Sequence, residues 1–262
     1  MCKSVRHLLL LTALFASTFA QASYEDFRAI NRYNYYSLEK SGQILILIPE
    51  EYQDENITID LVYVNDYLAR AFPVNKGSSG LVPFSLSAFE KGIHTLVCSF
   101  NINGKWVYAT HVEVCILEPQ PNEVKMDRYS GGLVVDQLPF YPFGFYTYWP
   151  LQQGLAEREA VNGFNMISPY QNINKKDRKK RIAYMDHCAA LGIKVHYNLC
   201  SLAGGGGVNK DAWKSLSEAE KLSLLEEEIS IFRGHPALLA WYIADEPYGN
   251  RADTTFLKKA YD

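Results

Sequence analysis

Residues 238–247 read Leu-Leu-Ala-Trp-Tyr-Ile-Ala-Asp-Glu-Pro, an apolar run that ends in two carboxylates. A short, continuous apolar run between turn residues indicates a strand that is buried on both faces, as in a parallel sheet. Two acids directly after such a strand are costly to desolvate unless they face a polar cleft or have partners. Asp245 and Glu246 are therefore candidate functional residues. The alternative is that they cap a following helix whose first turn contains Pro247.

The residues before this run alternate between strand-like and helix-like patterns. Gly192 suits the left-handed position that ends a helix, and Ser217 with Glu220 forms a capping box that begins one. The order βαβαβαβ predicts a parallel sheet flanked by helices, and in a parallel barrel the carboxyl ends of the strands face the active site. The predicted strands are 143–147, 164–168, 193–198 and 238–244, and the predicted helices are 157–163, 175–191 and 217–234.

Residues 23–119 have a different pattern. They contain short segments in which apolar and polar residues alternate, as in β-strands. Asn103-Gly104 is typical of a two-residue hairpin turn. We predict an antiparallel β-sandwich domain, because such strands bury one face each. Pro119 and Pro121 interrupt the alternation, so a linker is placed at 120–132, and a hairpin at 132–140 opens the second domain, 133–262. The alternating segments are 43–48, 57–64, 94–100 and 106–114.

Residues 1–22 have the three-part pattern of a secretory signal peptide. A basic start is followed by the apolar run 8–19 and by Ala20-Gln21-Ala22, which is a small-residue cleavage site. The apolar run is too short for a membrane span, which takes about 20 residues. We therefore expect a cleaved signal, a secreted or periplasmic protein and no membrane partner.

The charge balance and the cysteine spacing limit the kinds of ligand and cofactor that we expect. The 26 Lys and Arg residues nearly balance the 29 Asp and Glu residues, so there is no electrostatic case for binding nucleic acid. The basic cluster 175–181 is predicted to be the solvated face of a helix. The cysteines fit no metal-site spacing, and neither a metal nor another cofactor is expected. Cys188 and Cys200 are predicted to be free thiols, because opposite ends of a βα unit lie too far apart for a bridge.

Two further segments have local predictions. Cys98 and Cys115 have a better chance of forming a disulfide than Cys188 and Cys200. However, the hairpin at Asn103-Gly104 sets Cys98 across from about Ala109 rather than from Cys115. The run Gly204–Gly207 predicts a flexible loop, since it lacks the Gly-Lys-Ser/Thr ending of a phosphate-binding loop.

Residues 234–247 resemble the fourth strand of the clan A retaining glycoside hydrolases. Residues 133–146 are similar to the hairpin and first barrel strand that follow a β-sandwich in the β-galactosidase-like members, and 163–167 and 191–195 resemble the second and third strands. The resemblance implies a multi-domain chain, with an N-terminal antiparallel β-sandwich followed by the first half of a (β/α)8 TIM barrel. It also implies a carbohydrate substrate and assigns Glu246 as the catalytic general acid/base.

The sequence departs from the clan in two ways. The clan usually has Asn before the acid/base, where it bonds the sugar 2-hydroxyl, and Asp245 stands at that position here. The clan also takes its nucleophile from the seventh strand, whereas this sequence ends after the fourth. We therefore expect a fragment of a secreted retaining hydrolase that is inactive alone. A non-catalytic carbohydrate-binding or interaction protein is the alternative, and the oligomeric state stays open, since two half barrels could also pair.

Polar and aromatic side chains near the predicted strand ends are the candidate substrate-binding groups, because aromatic rings stack on sugars. Trp241 is predicted to pack in the core, and His196 to be a hydrogen-bonded core residue rather than a base. The predicted substrate-binding residues are Asp245, Tyr146, Tyr148, Trp149, Tyr170, Tyr197 and Asn198.

Overall fold

The structure is a computed structural model, and it describes residues 24–149, 151–171, 173–206 and 213–262. The predicted signal peptide, residues 1–22, lies outside the described residues. The described chain has an antiparallel N-terminal part and a parallel C-terminal part.

The N-terminal part forms two antiparallel sheets, one with the order β1-β2-β5 and the other with the order β4-β3-β6-β7. This arrangement matches the predicted β-sandwich and adds β1, β4 and β5 to the segments that the alternation indicated. The strands are β1 (Arg28–Asn31), β2 (Ser41–Leu47), β3 (Ile57–Tyr63), β4 (Asp66–Val74), β5 (Ser79–Ser85), β6 (Gly92–Ile102) and β7 (Lys105–Ile116).

Alternating apolar side chains of these strands form the sandwich core. Ile44 and Ile46 of β2 pack with Ile59 and Leu61 of β3 and with Leu96 of β6, and all five are fully buried. Burying an aliphatic side chain of this size contributes about 1.5–3 kcal/mol. The two-residue period of the strands therefore decides which residues hold the sandwich together.

The hairpin between β6 and β7 confirms the predicted turn, since Asn103 and Gly104 have φ values of 51° and 77°. Cys98 lies across from Thr110 and not from Ala109, because a register shift between Phe100 and Asn101 moves the pairing by one residue. All the cysteines that the structure describes are free thiols, as predicted for Cys188 and Cys200.

A short antiparallel sheet occupies part of the predicted linker. Its strands are β8 (Val124–Asp127), β9 (Gly132–Val135) and β10 (Leu138–Phe140), in the order β10-β9-β8. Strands β9 and β10 form the predicted hairpin, and β8 lies within the segment 120–132 that was predicted to be a linker. Strand β8 lacks apolar alternation because its buried side chains, Lys125 and Asp127, are charged.

Ion pairs connect β8 to the sandwich. The Arg32 guanidinium donates to both carboxylate oxygens of Asp127 at 2.9 and 2.8 Å, and Lys125 Nζ lies 2.6 Å from Glu39. Asp127 has a pKa below its usual range, chiefly because of the hydrogen bond from Arg32. A bidentate arginine–carboxylate pair fixes orientation as well as distance, so the short sheet is held rigidly against the sandwich.

Acid should weaken this contact. An Asp with a depressed folded pKa stabilises the fold fully above its unfolded pKa of about 3.9, and this stabilisation is lost as the pH falls through the folded value. We expect Asp127→Asn to cost about 2 kcal/mol at pH 7 and progressively less below pH 4. Urea unfolding between pH 7 and pH 2.5 measures this. Asp54→Asn, at an exposed turn, is the control, and an equal loss in both variants would contradict the role of the pair.

The C-terminal part, from Gly144 to Asp262, is called the parallel domain here. Its main sheet has the order β11-β12-β13-β15, with all neighbours parallel, as the βαβ pattern predicted. The strands are β11 (Gly144–Tyr148), β12 (Met166–Tyr170), β13 (Lys194–Asn198), β14 (Gly205–Gly206), β15 (Leu238–Tyr242) and β16 (Ala244–Asp245). The helices are α1 (Leu155–Val161), α2 (Arg178–Ala190), α3 (Cys200–Ala203), α4 (Glu218–Phe232) and α5 (Thr254–Tyr261).

The helix ends follow the local sequence. Ser217 and Glu220 form the predicted capping box at the start of α4, where each side chain accepts from the other residue's backbone N–H. Gly192, with a φ of 71°, follows α2 in the predicted left-handed conformation. None of the helices in the described residues has the length and apolar character needed to cross a bilayer.

One residue of the basic cluster 175–181 is not solvated. Arg181 is fully buried, and its guanidinium donates to both carboxylate oxygens of Glu228 on α4, at 2.6 and 2.8 Å. The prediction of a solvated face was therefore wrong for Arg181, because helical spacing alone cannot show that a neighbouring helix supplies a buried carboxylate.

Candidate functional site

The two faces of the parallel sheet have different environments. Ile167, Val195 and Tyr197 belong to the core that the helices cover, and Trp241 packs against the same core as predicted. The residues one position away on each strand lie on the other face, because side chains alternate along a strand. We call this second face the open face, and it carries Tyr146, Tyr148, Tyr170, His196 and Tyr242.

Aromatic rings meet across the open face. Tyr146 stacks on Tyr170 with ring centroids 5.3 Å apart, and His196 stacks on Tyr242 at 4.6 Å. Tyr146 also contacts Tyr242, at 5.8 Å. These two residues belong to the first and last strands of the sheet, which would be about 14 Å apart if the sheet were flat. The sheet is therefore curved toward the open face.

Asp245 lies within this aromatic group. Burial, followed by the neighbouring side chains of Asp245 and Tyr146, raises the pKa of Tyr242. Burial, followed by the nearby charge of Asp245, also raises the pKa of Tyr170 and raises that of Cys200 to about 12. The charge of Asp245 thus contributes to the raised pKa values of both Tyr170 and Cys200.

Backbone pairing holds Asp245 in position. Strand β16 pairs in parallel with β14, which places Gly206 beside Asp245. A Cβ atom on Gly205 would overlap the backbone carbonyl of Ile243, so only glycine allows this approach. The predicted flexible loop is therefore ordered at Gly205 and Gly206, while Gly207 lies outside the described residues.

Glu246 follows Asp245 in an unusual backbone conformation. Its φ of 45° lies in the left-handed region, which non-glycine residues seldom adopt. Its carbonyl accepts from the Asn250 backbone N–H at 2.9 Å, and the Asn250 side chain donates to the Asp245 carbonyl at 2.7 Å. Strained conformations of this kind collect at functional sites. The exposed Glu246 side chain is accessible to a ligand at the strand ends.

Asn198 ends β13 beside Tyr242, its partner in the sheet register. The side chain is buried, and Oδ1 accepts from the backbone N–H of Cys200 at 3.1 Å. The other amide atom, Nδ2, is buried with no hydrogen-bond partner among the described residues. An unmatched buried donor costs about 1–3 kcal/mol, and the described residues supply no acceptor for this one.

Two of the predicted substrate-binding residues lie elsewhere. Tyr197 is fully buried on the helix side of β13, where its hydroxyl donates to Glu228. Trp149 packs edge-on against Tyr184 of α2, with centroids 5.2 Å apart. Tyr197 faces the helices because side chains alternate along a strand, and its neighbours His196 and Asn198 lie on the open face.

The structure brings the other predicted residues together with two that the sequence analysis did not select. Tyr242 lies in an apolar run that carries no local sign of a site, and His196 was predicted to be a core residue. His196 does hydrogen-bond, with Nδ1 3.3 Å from Ser168 Oγ, and burial lowers its pKa. Counting by two from Asn198 along β13 could have found His196, and Tyr242 is one position from Trp241, which was predicted to face the core. The group near the strand ends is Tyr146, Tyr148, Tyr170, His196, Asn198, Tyr242, Asp245 and Glu246.

The geometry describes a concave, aromatic face with two carboxylates at the carboxyl ends of parallel strands. No family model and no curated protein matches this chain. Solved structures that it is similar to include a β-glucuronidase of an uncultured Clostridium species, with 13% identity and a TM-score of 0.36, over 89% of this chain and 41% of that one.

Two further structures have comparable similarity. A β-glucuronidase from Ruminococcus gnavus in complex with D-glucuronic acid has 12% identity and a TM-score of 0.38, over 90% of this chain and 40% of that one. A putative glycoside hydrolase from Bacteroides vulgatus has 11% identity and a TM-score of 0.38, over 84% of this chain and 51% of that one. The chain thus spans between two fifths and about half of these proteins, and its function has to be argued from its own residues.

Proposed function

We propose that this chain is an exported, glycosidase-related protein that binds a carbohydrate at the open face of its parallel sheet. Tyr146, Tyr148 and Tyr170 would contact the sugar ring, and Asn198 and Asp245 would bond its hydroxyls. Glu246 would be the general acid/base of a retaining mechanism, as the sequence resemblance implies.

The observation that carries the proposal is the position of Asp245 and Glu246. Both lie at the carboxyl ends of parallel strands, which is where barrel enzymes place their active sites. Asp245 neighbours Tyr242 in the aromatic group and contributes to its raised pKa, and aromatic faces next to carboxylates suit a sugar ring. The capping alternative is weaker, since Asp253 caps α5 through the backbone N–H groups of Thr255 and Phe256.

Cleavage needs more than these residues. Retaining hydrolysis requires a second carboxylate about 5–5.5 Å from the acid/base, acting as nucleophile. The resemblance assigns that residue to a seventh barrel strand, and the main parallel sheet of the described residues has four strands. We therefore propose that the chain as given binds carbohydrate without hydrolysing it.

Binding can be tested by calorimetry with methyl β-D-galactopyranoside and methyl β-D-glucopyranoside. We expect at least one to bind, and Tyr146→Ala to weaken binding about tenfold, which corresponds to about 1.4 kcal/mol. Tyr67→Ala is the matched control, because Tyr67 is 55% exposed on the sandwich and Tyr146 is 52% exposed. Absence of binding to every sugar tested, or an equal loss in the two variants, would contradict the proposal.

The same preparation should leave 4-nitrophenyl β-glycosides intact above the uncatalysed rate. Turnover that Glu246→Gln abolishes would show that the chain hydrolyses glycosides by itself. That result would overturn the proposed inactivity and support the role of Glu246.

A further inference from the structure

We propose that the Asn198 and Asp245 side chains select an uncharged sugar ring and reject a uronic acid. This inference rests on the proposed function and deepens it. Asn198 would donate to a hydroxyl oxygen of the ring, and Asp245 would accept from a ring hydroxyl.

The role of Asn198 follows from its fixed amide. Because Oδ1 already accepts from the Cys200 N–H, the amide cannot rotate by 180° without placing two donors against each other. The buried Nδ2 is therefore a donor that awaits an acceptor. A hydroxyl oxygen provides one without bringing a charge.

The role of Asp245 follows from its contacts. Its carboxylate lies at the strand ends beside the open-face aromatic group, where it can accept from a hydroxyl of the ligand. Glu246 adds a second carboxylate at the next position. A carboxylate on the ligand would therefore face two like charges at the strand ends. Lys194 of β13 lies at the opposite end of the strand and bonds Asp136 and the Pro236 carbonyl. Lys214 and Arg251 line a neighbouring pocket that Asp245 and Glu246 do not line.

The test compares methyl β-D-glucopyranoside with its uronate, which differ by a hydroxymethyl group and a carboxylate at one carbon. We expect the wild-type chain at pH 7 to bind the neutral glycoside at least tenfold more tightly, by calorimetry or by competition measured with NMR. Equal affinity, or a preference for the uronate, would overturn the inference and leave the proposed function standing. Failure of both to bind, together with failure of the galactoside, would overturn both.

Variants assign the preference to these residues. Asp245→Asn keeps the size and the acceptor oxygen but removes the charge, so the preference should shrink toward equal affinity. Asn198→Asp keeps the acceptor for the Cys200 N–H but replaces the donor, so it should weaken binding of the neutral glycoside about tenfold and increase the preference.

The matched control is Asn162→Asp, the same substitution at the exposed end of α1, which should change neither affinity. A preference that is unaltered in Asp245→Asn would overturn the assignment to Asp245. The comparison of the neutral glycoside with the uronate uses the wild-type chain, so it tests the proposed selectivity even if a variant fails to fold.

Discussion

Replacing Glu228 by Gln is expected to destabilise the parallel domain by about 3–5 kcal/mol. Glu228 and Arg181 are both buried and joined by two hydrogen bonds, and the Tyr197 hydroxyl donates to the same carboxylate. Removing one charge leaves the other buried without compensation, which is far more costly than losing a surface pair. The pair connects α2 to α4 behind β13, so its loss affects the centre of the domain.

The neighbouring residue provides the control. Glu227 pairs with Arg178 and Lys175, but its side chain is 37% exposed, so Glu227→Gln should cost less than about 1 kcal/mol. Urea unfolding followed by tryptophan fluorescence measures both, because Trp149, Trp213 and Trp241 all lie in the parallel domain. Similar losses for the two variants would show that Arg181 and Glu228 do not stabilise the domain as a buried pair.

Replacing Gly144 by Ala is expected to cost about 3 kcal/mol or more. A Cβ atom at this position would overlap the backbone carbonyl of Met166, which is its register partner on β12. Backbone cannot move aside as a flexible side chain can, so β11 must shift away from β12 or lose its pairing. The loss should also reduce carbohydrate binding, since β11 carries Tyr146.

Gly234→Ala is the comparison, because a Cβ atom there meets nothing within 4 Å. We expect its free energy of unfolding to change by no more than about 1 kcal/mol. The same unfolding experiment separates the two variants. A Gly144→Ala chain as stable as the Gly234→Ala chain would show that β11 and β12 approach less closely than described.

Predictions from the sequence were confirmed where all the residues of a cap or turn lie within one short segment. The Ser217–Glu220 capping box, the left-handed Gly192 and the Asn103-Gly104 turn all form within a few residues, and all appear as predicted. The βα alternation likewise predicted parallel strands in chain order, because each apolar segment is buried whatever its neighbour is.

The predictions failed where a distant residue supplies the partner. Strand β8 shows no apolar alternation because its buried side chains are charged, and they are buried only because Arg32 and Glu39 of the sandwich pair with them. Arg181 was placed in solvent because Glu228 lies 47 residues away in sequence. No local pattern shows such a pair.

For the candidate site, the sequence by itself determined that two acids follow a buried strand, that aromatic residues lie near the ends of its neighbours and that the strands are parallel. Only the tertiary structure decided which side chains meet. Curvature of the sheet brings Tyr146 to Tyr242, and the pairing of β14 with β16 fixes Asp245 beside them. These outcomes depend on contacts between residues far apart in the chain, where the register and curvature of the whole sheet set the distances.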